Sequence, residues 1–270
     1  MLTRSFGLLF LFVFLLRLFV FLLLSLPVVQ QLDDLVLHFP RRSFLAEIFA
    51  QFRTCQNHFV YGRNADLLYY FKYVEGDEGL FTVYSMLLMI PSILGAGAFP
   101  FVFRWLGNKG RTASVFAAGT GAAMFVMYFF SATTSPIPFY GLAALSQFFF
   151  CGFNTAIYAI VPDCVEYGEW KTGIRNDGFQ YAFVSLGNKV GMAIGTSLLA
   201  GVLGNLGFVA NQSQNIAVQS AIHHAFSTIP GVLWIVTAVV LFFYQINKNS
   251  YNRIIAELGA KKGAETCSTL

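Results

Sequence analysis

The sequence predicts an all-α integral membrane protein of about six transmembrane helices, and three observations carry that expectation. Of 270 residues, 56% are hydrophobic and only 11% are charged, with a mean hydropathy of +0.63; soluble domains carry about 25% charged residues. Phe alone fills 31 positions. That surplus has no single soluble core to hide in, so lipid must be the solvent for much of it. Finally, the stretches 81–103, 112–132, 139–161, 179–203 and 226–246 are each long enough to cross the hydrocarbon, and none holds an acidic residue. The same composition argues against a soluble enzyme, and a net charge of +4 is too small to point to nucleic acid.

Taken in order, residues 1–60 are atypical. The stretch 8–26 is apolar except for Arg17 and Ser25. It is too long for a signal-peptide core, and no A-x-A-like site follows, so an uncleaved anchor is expected. Four arginines (Arg41, Arg42, Arg53, Arg63) then fall in 30–63 without periodicity. A frameshift or truncation is one account of this region. ADLLYYFKYV, 65–74, is too short to span and is expected to be the outer end of a truncated helix, with Tyr69, Tyr70 and Tyr73 in an interfacial belt.

The five spans follow, between residues 61 and 246, with a tail over 247–270. Pro91, Pro100 and Pro230 are tolerable inside them because neighbouring helices re-satisfy freed backbone groups. Basic residues alternate between loops: Arg104, Lys109 and Arg111, then Lys171 and Arg175, then Lys248, Arg253, Lys261 and Lys262. The intervening loops have none. That bias places 104–111, 162–178 and the C-terminus in the cytoplasm of a multi-pass plasma-membrane (bacterial inner-membrane) protein.

Few residues can carry chemistry. Lys189 lies ten residues inside its span, at a cost of about 2.5–3.5 kcal/mol on insertion scales. By helical angle it shares a face with Tyr181, Ser185, Met192 and Thr196, while Gly187, Gly191 and Gly195 form a small-residue ladder on another. Lining a wet substrate path is favoured over a structural ion pair. In 139–161, Tyr140, Gln147, Cys151, Asn154 and Tyr158 fall on one stripe, opposite Phe149 and Phe153. Binding a polar solute and hydrogen bonding between helices, worth about 0.6 kcal/mol, both explain such a stripe. Asp163, Glu166 and Glu169 stand three apart beside Lys171 and Arg175. No nucleophile accompanies them, so ion pairing is expected rather than catalysis. Cys55, Cys151, Cys164 and Cys267 lack metal or redox spacing, and no cofactor fingerprint is present. His223 and His224 are expected in an exposed loop, near a sequon at Asn211.

Three stretches carry a resemblance. YYFKYVEGDEGLF (69–81), PDCVEYGEWKTGIRNDG (162–178) and the lysine of SLGNKVG (185–191), with the tail NKNSYNRIIAEL, are similar to the C-terminal half of the glycoside–pentoside–hexuronide:cation symporters. This is the melibiose-permease-like family within the major facilitator superfamily. The resemblance implies half of a twelve-helix fold, and alternating access in which one half rocks against the other. It implies a sugar or glycoside substrate moving with Na⁺ or H⁺, with Lys189, Ser185, Asn154, Gln147 and Tyr181 along the substrate path. Asp163, Glu166, Glu169, Lys171 and Arg175 would form a cytoplasmic gate of ion pairs that break and re-form. The family's cation site and main sugar-binding aspartates belong to the other half. A separate N-terminal half is therefore an expected partner, and a non-transporting subunit or a non-functional fragment is the alternative.

Overall fold

The computed structural model describes residues 67–173, Arg175, 177–243 and 251–260. The apolar stretch 8–26, the arginines of 30–63 and the ends of the tail lie outside them. The regular structure of the described residues is helical throughout, as the composition requires. A helix end, 67–75, finishes in a π turn, Phe71–Glu75. Five long helices follow: α1, Gly79–Leu106; α2, Lys109–Met127; α3, Pro136–Thr172; α4, Asp177–Asn205; and α5, Ile216–Phe242. A short helix, α6, covers 251–260.

Among the described residues three helical stretches are long and apolar enough to cross a membrane, Gly79–Leu106, Pro136–Trp170 and Ile216–Phe242. The chain is a multi-pass membrane protein. α2 needs less apolar surface because protein covers it: Ala113, Phe116, Ala117, Ala123 and Met124 are all buried.

Local chemistry sets the ends, and several differ from the hydropathy boundaries. α1 is interrupted at Leu88, because Pro91 has no N–H for the Leu87 carbonyl and its ring crowds it. α2 starts at Lys109 because the Asn108 side chain accepts from the Arg111 N–H at 3.1 Å. α3 runs eleven residues past the expected span end at 161, through Pro162, until Gly173 caps it at φ 74°. Its 37 residues measure about 55 Å at 1.5 Å each, so its last turns project beyond a roughly 30 Å hydrocarbon layer. α5 begins at Ile216 rather than 226, where the Asn215 side chain accepts from the Val218 N–H at 2.8 Å. A second π turn, His224–Thr228, then precedes Pro230.

α2 packs between α3 and α5, and α1 lies against α3; α4 touches α3 and the start of α5 only lightly. Small residues permit the close crossings. A Cβ on Gly121 of α2 would stand 2.8 Å from the Gly231 carbonyl oxygen of α5. One on Gly95 of α1 would fall on the Phe148 carbonyl of α3. Of the glycines expected to pack on α4, Gly187 and Gly191 lie outside the residues whose surroundings are described. Phe153, expected opposite the polar stripe, is buried edge-on against Trp234 at 4.7 Å.

The helix ends segregate as the charge alternation predicts, and we call the two ends outer and inner on that basis. The outer end gathers 67–78, the α2–α3 turn and the α4–α5 loop, around buried Tyr70, Phe71, Tyr84, Phe139 and Phe226. Tyr70 is therefore core rather than interfacial belt: it stacks on Phe226 at 4.5 Å. His223 and His224 also differ from expectation. They are half-buried on α5 and both stack against Tyr128, at 4.6 and 5.0 Å. The inner end gathers the α1–α2 turn, the last turns of α3, and α6.

Candidate functional site

The projecting end of α3 carries its acidic residues on one side, three apart, where they meet cations and donors from other elements. Asp163 is buried, and Lys109 at the first turn of α2 reaches it: Nζ donates to the carboxylate at 2.7 Å and to the Ala159 carbonyl at 3.0 Å. The ring of Tyr251 on α6 lies 5.2 Å from the same ammonium. Glu166 pairs with the Tyr251 hydroxyl; that hydrogen bond, then burial and the Glu166 and Asp163 charges, push the phenol up to about 12. The other Glu166 oxygen, Oε2, is buried without a hydrogen-bond partner among the described residues.

Glu169, also buried, accepts from the Arg175 guanidinium at 3.1 Å. Arg175 donates to Asp177 at 3.0 Å as well; that hydrogen bond and charge, with Glu169 beside it, raise the guanidinium further above its ordinary value. Trp170 Nε1 donates to Glu257 at 2.6 Å, and Arg253 donates to the same carboxylate at 2.7 Å. The side chain of Lys171 lies outside the described residues. Three of the five expected gate residues thus form ion pairs within this bundle, Asp163 with Lys109 and Glu169 with Arg175, while Glu166 meets the Tyr251 hydroxyl. Lys109, Trp170, Tyr251, Arg253 and Glu257 were not singled out from sequence for these contacts, although the basic spacing of the α1–α2 turn was a partial signal.

The candidates on α3 and α4 are placed separately. Tyr181, Ser185 and Lys189 are exposed on α4 in line with Met192, as the helical angle predicts. Among the described residues Lys189 has no ion-pair partner. Leu186 and Leu198 are exposed as well, so α4 is open on more than this face. On α3, Gln147 donates to Ser92 of α1 at 3.0 Å and lies 3.5 Å from Cys151 Sγ. That is a bond between helices, one of the two readings its stripe allowed. Asn154 is half-buried, and among the described residues its amide has no hydrogen-bond partner. No hydrogen bond or ion pair among the described residues joins Asn154 to the α4 trio. No group of three or more His, Cys, Asp or Glu placed to hold a metal occurs among them.

The exposed α4 face with Tyr181, Ser185 and Lys189 and the ionic contacts at the end of α3 are thus the two candidate sites. Residues 45–248 match the family model described as MFS/sugar transport protein. The chain is 30% identical over 204 residues to the glucuronide carrier protein homolog of Escherichia coli (strain K12), covering 74% of this chain and 43% of that protein. It is 28% identical over 197 residues to the uncharacterized symporter YnaJ of Bacillus subtilis (strain 168), 71% of this chain and 41% of that protein. It is 34% identical over 115 residues to the isoprimeverose transporter of Lactiplantibacillus pentosus, 42% of this chain and 24% of that protein. The chain spans less than half the length of these relatives. It belongs to the MFS/sugar transport protein family.

Proposed function

We propose that this chain supplies the C-terminal half of a sugar:cation symporter working by alternating access. The observation that carries the reading is Lys189, an exposed ammonium in the middle of a 29-residue helix with no ion-pair partner among the described residues. On the same helix face Tyr181 and Ser185 offer hydroxyls, and on α3 Asn154 offers an amide without a hydrogen-bond partner among the described residues, which suits the donor and acceptor pattern of a sugar. Gln147 contributes indirectly by holding α1 to α3. The names of the relatives support a glycoside as cargo.

Coupling to Na⁺ or H⁺ is part of the proposal, and its carboxylates must come from elsewhere. The stretches 81–103, 112–132, 139–161, 179–203 and 226–246 contain no Asp or Glu. We therefore expect a six-helix N-terminal half as partner, in the same polypeptide or another, with the bilayer as solvent and the inner end in the cytoplasm. No chemical step or cofactor is required, since transport needs binding and rocking alone. At the inner end Arg175 is half exposed while it pairs with buried Glu169. Arg175 is the cation expected to exchange partners as the halves separate, with Asp163, Glu166 and Lys171 on the neighbouring end of α3.

The test is uptake of labelled methyl β-D-glucuronide into proteoliposomes under a Na⁺ or H⁺ gradient. The expected result is no accumulation by this chain alone, accumulation when a six-helix N-terminal half is present, and loss of it in Lys189→Ala. Accumulation by the chain alone would overturn the half-transporter reading. Uptake by the pair that ignores Lys189→Ala would remove Lys189 from the path.

A further inference from the structure

Glu75, at the outer end, is bound more completely than a surface carboxylate needs. Its Oε1 accepts from the Tyr70 hydroxyl at 2.6 Å and the Ala132 N–H at 3.0 Å. Its Oε2 accepts from Ser131 Oγ at 2.9 Å, the Thr133 N–H at 3.1 Å and Thr133 Oγ1 at 2.7 Å. Four of these five donors belong to the α2–α3 turn, more than fifty residues away in sequence. The donors include two backbone N–H groups, so the pocket is built for an anion, and the protein's own carboxylate fills it.

The segment that bears Glu75 is built unlike a plain helix end. It finishes in the π turn Phe71–Glu75 and stops at Gly76, which holds φ 77°. The second π turn, His224–Thr228, lies against it: Tyr70 stacks on Phe226 at 4.5 Å and meets the His223 ring at 5.5 Å. Single π turns are rare and concentrate at functional sites. The segment also touches the α4–α5 loop, where the Tyr73 hydroxyl accepts from the Asn211 N–H at 3.1 Å and both Tyr69 and Tyr73 pack on Phe208. Those contacts are largely aromatic and tolerate sliding. The Glu75 contact is directional and charge-assisted, and it ties the segment to a turn that belongs to two other helices.

We propose that Glu75 is a latch: its grip on the α2–α3 turn holds 67–75 shut against the outer end of the bundle, and its release lets that segment swing at its π turn to open the outer mouth of the substrate path. The path in this statement rests on the transport reading above; the latch itself does not.

Hydrogen exchange on the full chain in lipid nanodiscs separates the two. Glu75→Gln keeps the shape but turns one oxygen into a donor facing other donors. It is expected to speed exchange about tenfold or more in both 67–75 and 128–135, leaving α2 and the body of α5 at wild-type rates. Ser131→Ala with Thr133→Val removes the two hydroxyl donors from the other side, leaving the two backbone N–H groups, and is expected to reproduce the paired change in weaker form. That pair decides the matter if Glu75→Gln also loosens α2. Acceleration in only one of the two segments, or in neither, overturns the latch. Paired acceleration with no glycoside uptake when the six-helix N-terminal half is present would remove the path and keep the latch; such uptake without paired acceleration would do the reverse.

Discussion

Lys109 and Asp163 form the inner end's least exposed ion pair, with side chains 24% and 4% exposed at 2.7 Å. A buried pair contributes little against an apolar substitute, but breaking it strands a charge. Lys109→Met is therefore expected to destabilise the chain by about 3 kcal/mol, and Lys109→Met with Asp163→Leu by clearly less; thermal unfolding in detergent reads the difference. Equal losses would show that the pairing is incidental. Tyr251 adds a pH signature. Its phenol is raised from 10.0 to about 12, so its contact with Glu166 stabilises α6 below the ordinary value and is lost as pH rises towards about 12. The ultraviolet titration of wild type minus Tyr251→Phe should show one phenol ionising late. Glu75 runs the other way. Burial pushes its carboxyl up, but hydrogen bonds from Tyr70, Thr133, Ala132 and Ser131 together outweigh this and hold it below the ordinary 4.5. Its stabilisation is present above that value and fades as pH falls through the depressed one, which the carboxyl carbon shift of labelled Glu75 would follow.

Between elements, the closest approaches make two glycines on one helix respond in opposite ways. A methyl group on Gly95 would meet the Phe148 carbonyl, whereas Gly97 has nothing within 4 Å of its Cβ position. Gly95→Ala should cost about 1–3 kcal/mol through forced separation of α1 and α3. Gly97→Ala should be neutral or slightly stabilising, by up to about 1 kcal/mol, because alanine loses less freedom in a helix. Both are read by the midpoint of thermal unfolding, and equal losses would place the α1–α3 crossing elsewhere. α6 is held at the inner end by Trp170, which donates to Glu257, and by buried Ile254 and Leu258. Trp170→Phe keeps the ring but removes the donor. Faster proteolysis confined to 244–260 is expected, and an unchanged pattern would mean that the apolar contacts suffice. Element positions were largely legible from hydropathy. Their ends were less so, since side-chain caps at Asn108 and Asn215 and the helix through Pro162 are decided by single bonds that an averaged window blurs.

For the whole molecule, the two-ended distribution of loops is a statement about orientation. Single cysteines at Asn211 and at Gly259, both exposed and at opposite ends, are expected to label with an impermeant maleimide from opposite faces of the membrane, with Gly259 cytoplasmic. Labelling of both from one face would break the alternation on which the topology rests.

The sequence by itself determined the class of protein, the approximate position of each long helix, the grouping of loops at two ends and the alignment of Tyr181, Ser185 and Lys189. All of these are local: hydropathy sums over about twenty adjacent residues, and a helix face follows from 100° per residue. The carboxylates of 163–169 were visible for the same reason. Only the tertiary structure decided that Asp163 belongs to Lys109, 54 positions away. It also buried Tyr70, placed the histidines on Tyr128, gave Gln147 to Ser92, and set the close crossings at Gly95, Gly121 and Gly231. Those outcomes depend on how each helix is rotated and offset against its neighbours, and a per-residue pattern does not contain that angle.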